Sequence, residues 1–212
     1  MSSTKKITTI AMLTAMAMVL NLLIQFPIVP AVSFLSYDPK DIIIVIGGFI
    51  YGPFTSFIMS ALCSFLEIAF RGGNLLDVLM NMISTCTFAC VAAAIYKYNH
   101  TKNGAIIGLV SGIICCTLSM TLWNYVVTPY YYNMPRSAVV AMLLPGIIPF
   151  NLIKAGLNSA FAMLIYKPVV SALRSAHFVQ DSQSKEGLTK DVAIVCSFIL
   201  VTLIAVVFVM KG

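Results

Sequence analysis

Charge is what this sequence has least of. Acidic and basic side chains fill 9% of its 212 positions, where an ordinary soluble domain carries about 25%. That is too few to cover a water-facing surface, and 60% of the residues are hydrophobic, so the solvent for most of the surface is lipid. The six cysteines (Cys63, Cys86, Cys90, Cys115, Cys116 and Cys196) all lie in apolar segments without CxxC spacing. This argues against a metal ribbon or disulfide framework and leaves small buried hydrophobes. The signatures GxxxxGK[ST], HExxH and GxSxG are missing, and both histidines, His100 and His177, fall in polar loops. No basic run exceeds Lys5–Lys6, so the net charge of +6 does not mark a nucleic-acid surface. The expectation is an all-α integral membrane protein with no enzymatic chemistry of its own.

What is present is a series of apolar runs separated by proline, glycine and polar turns. Span one covers about 7–26 and ends before Pro27 and Pro30; no small-residue cleavage site closes it, so it reads as a retained span. A loop at 31–40 carries Tyr37, Asp38, Pro39 and Lys40. Span two, 41–51, is short and ends at Gly52-Pro53. Span three covers 54–70, span four 75–96, and span five 104–127, the last two separated by a polar loop at 97–103. The stretch TPYYYNMPR, 128–136, reads as a loop. The apolar piece at 137–148, interrupted by Pro145-Gly146, is expected to be interfacial or re-entrant. Span six begins at Pro149 and ends near 166–168.

Residues 1–170 thus form a six-helix membrane domain. A polar linker follows at 171–191, and the apolar run in 192–212 is long enough for a seventh transmembrane helix.

Lysine and arginine set the orientation. With the N-terminus cytoplasmic, eight (Lys5, Lys6, Lys97, Lys102, Lys167, Arg174, Lys185, Lys190) fall inside and four (Lys40, Arg71, Arg136, Lys211) outside. The loops around Tyr37, Arg71 and TPYYYNMPR then share the outer face of a multi-pass protein of the cell membrane.

The expensive groups are the polar ones at membrane depth. Asn151, Lys154 and Asn158 lie at helix angles of about 0°, 300° and 340° and share one face. That face is either a polar rail along a ligand cavity or a snorkelling lysine with helix-bridging asparagines. Glu67, Asp77 and Asn81 make a second set, with Lys154 or Arg71 as the expected partner of Glu67. Asn124, between Trp123 and Tyr125, suits either a planar heteroaromatic ligand or the interfacial aromatic belt. Ala11 and Ala15 form a small-xxx-small pair that allows close approach of another helix.

Three stretches carry a family resemblance: FLSYDPKDIIIVIGGFIYGP (34–53), WNYVVTPYY (123–131) and LLPGIIPFNLIKAGLNSA (143–160). Over about residues 7–170 the chain resembles the substrate-binding S components of energy-coupling-factor (ECF) transporters, in particular those that bind riboflavin. The resemblance implies a six-helix fold with a vitamin pocket open to the outside. It implies contacts to a flavin from Tyr37, Asp38, Pro39, Asn124, Asn151 and Lys154. It implies no cofactor, since riboflavin is the transported substrate, and docking through Ala11 and Ala15 on a transmembrane coupling subunit that works with two ATPase subunits. The run in 192–212 departs from the six-helix pattern. The other functional class left open is an autonomous ion-coupled transporter of a small heteroaromatic solute, with Glu67 and Asp77 as coupling groups. No inverted repeat supports it.

Overall fold

Every backbone N–H and C=O that enters lipid must be bonded within the protein, so each apolar run closes its own hydrogen bonds as a helix. The structure, a computed structural model, describes residues 3–176, 178, 196–197 and 200–204. Its helices are α1 (Ser3–Leu23), α2 (Lys40–Tyr51), α3 (Pro53–Arg71), α4 (Leu75–Thr85), α5 (Val91–Tyr98), α6 (Lys102–Tyr131), α7 (Arg136–Met142) and α8 (Ile148–Ser175). A wide π turn, Cys86–Cys90, joins α4 to α5, and another, Leu143–Ile147, joins α7 to α8. Residues 3–176 therefore pass up and down six times. Five of the passes are long and apolar enough to cross a membrane: Thr4–Leu23, Pro53–Arg71, Leu75–Tyr98, Lys102–Tyr131 and Arg136–Ser175. The protein is a multi-pass membrane protein.

The remaining pass, α2, has 12 residues and is buried without a break from Lys40 to Phe49. At 1.5 Å per residue it is only about 18 Å long. It sits among α1, α3, α5 and α8 as the centre of the bundle. Large apolar side chains such as Phe54, Phe65, Phe70, Leu118 and Leu122 are exposed on the outer helices, as a lipid-facing surface requires.

Several boundaries differ from those read in the sequence, and proline explains most of them. The piece at 137–148 is not a separate interfacial helix: it runs into α8 without interruption through the Leu143–Ile147 π turn. Pro145 cannot supply a helical N–H, and one wide turn absorbs the misfit. Pro129 lies inside α6, so that helix continues to Tyr131 rather than stopping at 127. Pro168 lies inside α8, which continues to Ser175 rather than ending at 166–168. Span one ends at Leu23, three residues early, because Phe26–Pro27 (β1) pairs antiparallel with Ser36–Tyr37 (β2). This short ribbon folds the first loop back over the bundle.

Three glycines on α6 set the closest helix pair. A Cβ at Gly108 would lie 2.7 Å from the Ala92 carbonyl oxygen, and one at Gly112 would lie 2.6 Å from that of Phe88. Gly104 packs closer still, against the Asn99 carbonyl in the turn just after α5. The backbones of α5 and α6 meet along this small-residue stripe.

Most of the expected linker at 171–191 and of the expected seventh helix at 192–212 lies outside the described residues. Those described, Cys196–Ser197 and 200–204, are helical. Leu200 is buried in a cluster with Leu157 and Ala160, and Leu203 reaches to within 3.1 Å of where a Cβ would stand at Gly156.

Candidate functional site

The C-terminal ends of α1, α3 and α6, the N-terminal ends of α2, α4 and α7, and the first loop meet at one end of the bundle. A cavity of about 230 Å³ opens there, lined by Phe34, Ser36 and Asp38 from the loop, Glu67 and Arg71 from α3, Asp77, Met80, Asn81 and Ser84 from α4, Met120 from α6, and Phe150, Asn151 and Lys154 from α8. One water needs roughly 10–15 Å³ by this measure, so the space is of small-molecule size. A smaller cavity adjoins it and shares Phe34, Leu35, Asp77 and Met80; its other walls include Trp123, Asn124, Thr128, Tyr131 and Tyr132.

The floor is an ionic network. Asp38 Oδ2 lies 3.0 Å from Lys154 Nζ and 3.3 Å from Lys40 Nζ. Lys40 donates to Glu67 Oε2 at 2.8 Å, and Lys154 lies 3.9 Å from Asp41 Oδ2. Thr85 donates to Asp41 Oδ1, and Asn81 Nδ2 donates to Glu67 Oε2. Two ammoniums thus face three carboxylates, all buried. Burial alone would raise the Asp38 carboxyl, but Lys154 and Lys40 outweigh it and hold the group below the ordinary carboxylate range. The network overturns two expectations. Glu67 pairs with Lys40, not with Lys154 or Arg71; Arg71 instead donates to the Asn21 and Leu22 carbonyls at the end of α1. Lys40, read from the sequence as an outer loop charge, is 1% exposed.

Of the six residues expected to touch a ligand, Asp38, Asn151 and Lys154 line the larger cavity and Asn124 the smaller, while Tyr37 and Pro39 line neither. Alternation along β2 accounts for this: Ser36 and Asp38 face the cavity, and Tyr37 turns to donate its hydroxyl to Asn158 Oδ1 at 2.8 Å. Burial, reinforced by Asp38 and Asp41, pushes the Tyr37 phenol above its usual range, so it stays a donor. Asn158 also donates to the Asp38 carbonyl, and the two bonds fasten the loop to α8. The shared face of Asn151, Lys154 and Asn158 is thus divided: two residues line the cavity and the third holds the loop.

Asn124 donates to the Met120 carbonyl and accepts from Thr128, so much of its amide is already engaged. Asn151 donates to the Ile147 carbonyl, and its Oδ1 has no partner among the described residues. Asp77 accepts from the Asn74 N–H in a capping box and from the Tyr131 hydroxyl, which is a structural rather than an ion-coupling arrangement. Lys40 and Ser84 were not among the candidates. The only sequence signal for Lys40 was its place between two aspartates at the start of a wholly apolar helix.

On α1, Ala11 and Ala15 lie on the exposed side, one turn apart, while Leu13, Thr14 and Ala17 face inward.

A six-pass bundle over residues 3–176 with a polar cavity at one end has the layout of a solute-binding membrane subunit. Residues 5–166 match the family described as "ECF transporter, substrate-specific component", and the chain belongs to that family. Among its relatives, the riboflavin transporter RibU of Staphylococcus aureus (strain TCH60) is 31% identical over 180 residues, 82% of this chain and 95% of that protein. The riboflavin transporter FmnP of Bacillus subtilis (strain 168) is 29% identical over 186 residues, covering 82% and 97%. A solved structure described as the S component of a bacterial ECF transporter superposes with a TM-score of 0.71 at 30% identity, covering 82% of this chain and 99% of the other.

Proposed function

We propose that this chain captures riboflavin from the extracellular side and delivers it as the S component of a complex with a transmembrane coupling subunit and two ATPases. The observation that carries the reading is the pair on α8 with bonding capacity left over. Asn151 has an unpartnered Oδ1, and Lys154 makes one hydrogen bond, to Asp38, although its ammonium has three donors. An acceptor and a donor one helical turn apart on a cavity wall match the alternating N–H and C=O edge of a flavin. The aromatic walls of the adjoining cavity (Phe34, Trp123, Tyr131 and Tyr132) suit its planar ring. Riboflavin transport is also what both bacterial relatives are named for.

The outer-facing orientation rests on the cation count. With Lys40 buried in the network, the outer loops keep only Arg71, Arg136 and Lys211 against eight inside. The exposed Ala11–Ala15 pair gives a coupling subunit a flat surface to approach.

Titration of the detergent-purified protein with riboflavin, followed by quenching of flavin fluorescence, tests the reading. Lys154→Ala is expected to remove a charge-assisted hydrogen bond worth about 1.5–3 kcal/mol, a loss of roughly ten- to a hundredfold in Kd. Asn151→Ala, which removes a neutral bond, is expected to weaken binding by roughly two- to tenfold. Unchanged affinity in both would make the rail purely structural. Riboflavin uptake into proteoliposomes by this chain alone, without ATPases, would sink the capture-subunit reading.

A bulky side chain at Ala11 or Ala15 is expected to leave riboflavin binding intact and to block uptake by the assembled transporter. Normal uptake would place docking elsewhere.

A further inference from the structure

The geometry assigns Lys40 as a positioning residue for ligand capture: by sharing Asp38 with Lys154, it leaves Lys154 an N–H free for the ligand. The inference rests on the flavin-binding reading above and adds a residue that never touches the cavity. Lys40 is 1% exposed and absent from the cavity wall. Its Nζ reaches Glu67 Oε2 at 2.8 Å, Asp38 Oδ2 at 3.3 Å and Asn81 Oδ1 at 3.5 Å. Glu67 and Asn81 accept hydrogen bonds from Lys40 and Asp38 pairs with its charge, so Lys40 is committed within the network.

Lys154 is placed differently. It lines the cavity, bonds the same Asp38 oxygen at 3.0 Å, and has only a 3.9 Å approach to Asp41 besides. Without Lys40, Lys154 would be the sole remaining ammonium of a network of three carboxylates, with Asp38 at 3.0 Å and Asp41 at 3.9 Å from it. Lys154 would be drawn fully onto Asp38 and Asp41, away from the ligand. The control variable is charge, not shape. The network carries one excess negative charge as it stands, two in Lys40→Met, and one again in Lys40→Met/Glu67→Gln.

The test titrates wild type, K40M and K40M/E67Q with riboflavin in parallel, with the thermal midpoint of each. K40M is expected to lose roughly tenfold or more in affinity, as when one charge-assisted bond to the ligand fails. The double variant is expected to recover to within roughly threefold of wild type, since the two changes are coupled. A merely structural lysine would lower the thermal midpoint of K40M and leave the affinity of the folded protein unchanged. Wild-type affinity in K40M overturns the assignment, as does a folded double variant as weak as K40M. If K40M does not fold, the double variant decides alone: near-wild-type binding supports the assignment, and weak binding or failure to fold overturns it. Failure of wild type itself to bind riboflavin overturns the parent reading instead, and is seen in the first titration.

Discussion

Replacing Asp38 with alanine is expected to remove riboflavin binding and to lower stability by about 3–5 kcal/mol, the usual cost of taking one partner from a buried ion pair. The reason is convergence. One carboxylate oxygen of Asp38 serves both Lys40 and Lys154. Alanine leaves two buried ammoniums short of an anion and frees the first loop from one side of its anchorage. Asparagine keeps the shape and one acceptor, so Asp38→Asn is expected to fall between alanine and wild type. Thermal unfolding in detergent alongside the flavin titration measures both effects. An alanine variant with the wild-type midpoint would show that the network contributes nothing to the fold.

The same carboxylate fixes a pH dependence. Asp38 is held below its unfolded value of about 3.9, so its stabilisation is complete above that pH. It is lost only as the pH falls through the lower folded value. Neutral to mildly acidic conditions therefore leave the loop docked.

The second large effect belongs to the helix stripe. Gly108→Leu is expected to destabilise the bundle by more than the about 1–3 kcal/mol typical of overpacking, because the obstacle is rigid. The added Cβ meets the Ala92 carbonyl oxygen, a backbone atom that no rotamer change can move. Parting α6 from α5 would also disturb Met120 and Ser84 on the cavity wall. Ile107→Ala, one residue away on the exposed face, serves as the control and is expected to be near neutral. Equal midpoints for the two variants would contradict the packing account.

Much of this architecture was legible before the coordinates, because hydropathy reports directly on burial in lipid. The six passes over residues 3–176 and the shared polar face of α8 follow from apolar runs and a 3.6-residue period. Proline is where sequence pattern and structure part. In water, Pro129, Pro145 and Pro168 signal helix ends, because solvent can bond whatever backbone the break exposes. In lipid no such partner exists, so losing one hydrogen bond inside a helix costs less than exposing a frayed end. The candidate site was legible in part for a different reason. Asn151 and Lys154 sit on one helix, where spacing alone brings them together. Glu67 and Lys40 lie 27 residues apart in the chain and meet across helices, and no local period encodes that register. Tyr37 stands on the loop where it was expected, but strand alternation turns it away from the cavity.

The short helix α2 has a consequence for how the protein is made. With 12 residues and charges at its first two positions, it is a poor substrate for insertion by itself, since apolar segments need about 20 residues to partition as independent spans. Lys154, which completes the charge arrangement, is not synthesised until more than a hundred residues later. During biogenesis the Lys40–Asp41 end must therefore wait, hydrated at the membrane surface or shielded by the insertion machinery, until α8 arrives. Assembly of this subunit is completed from its C-terminal side, and the ligand cavity is among the last features to form.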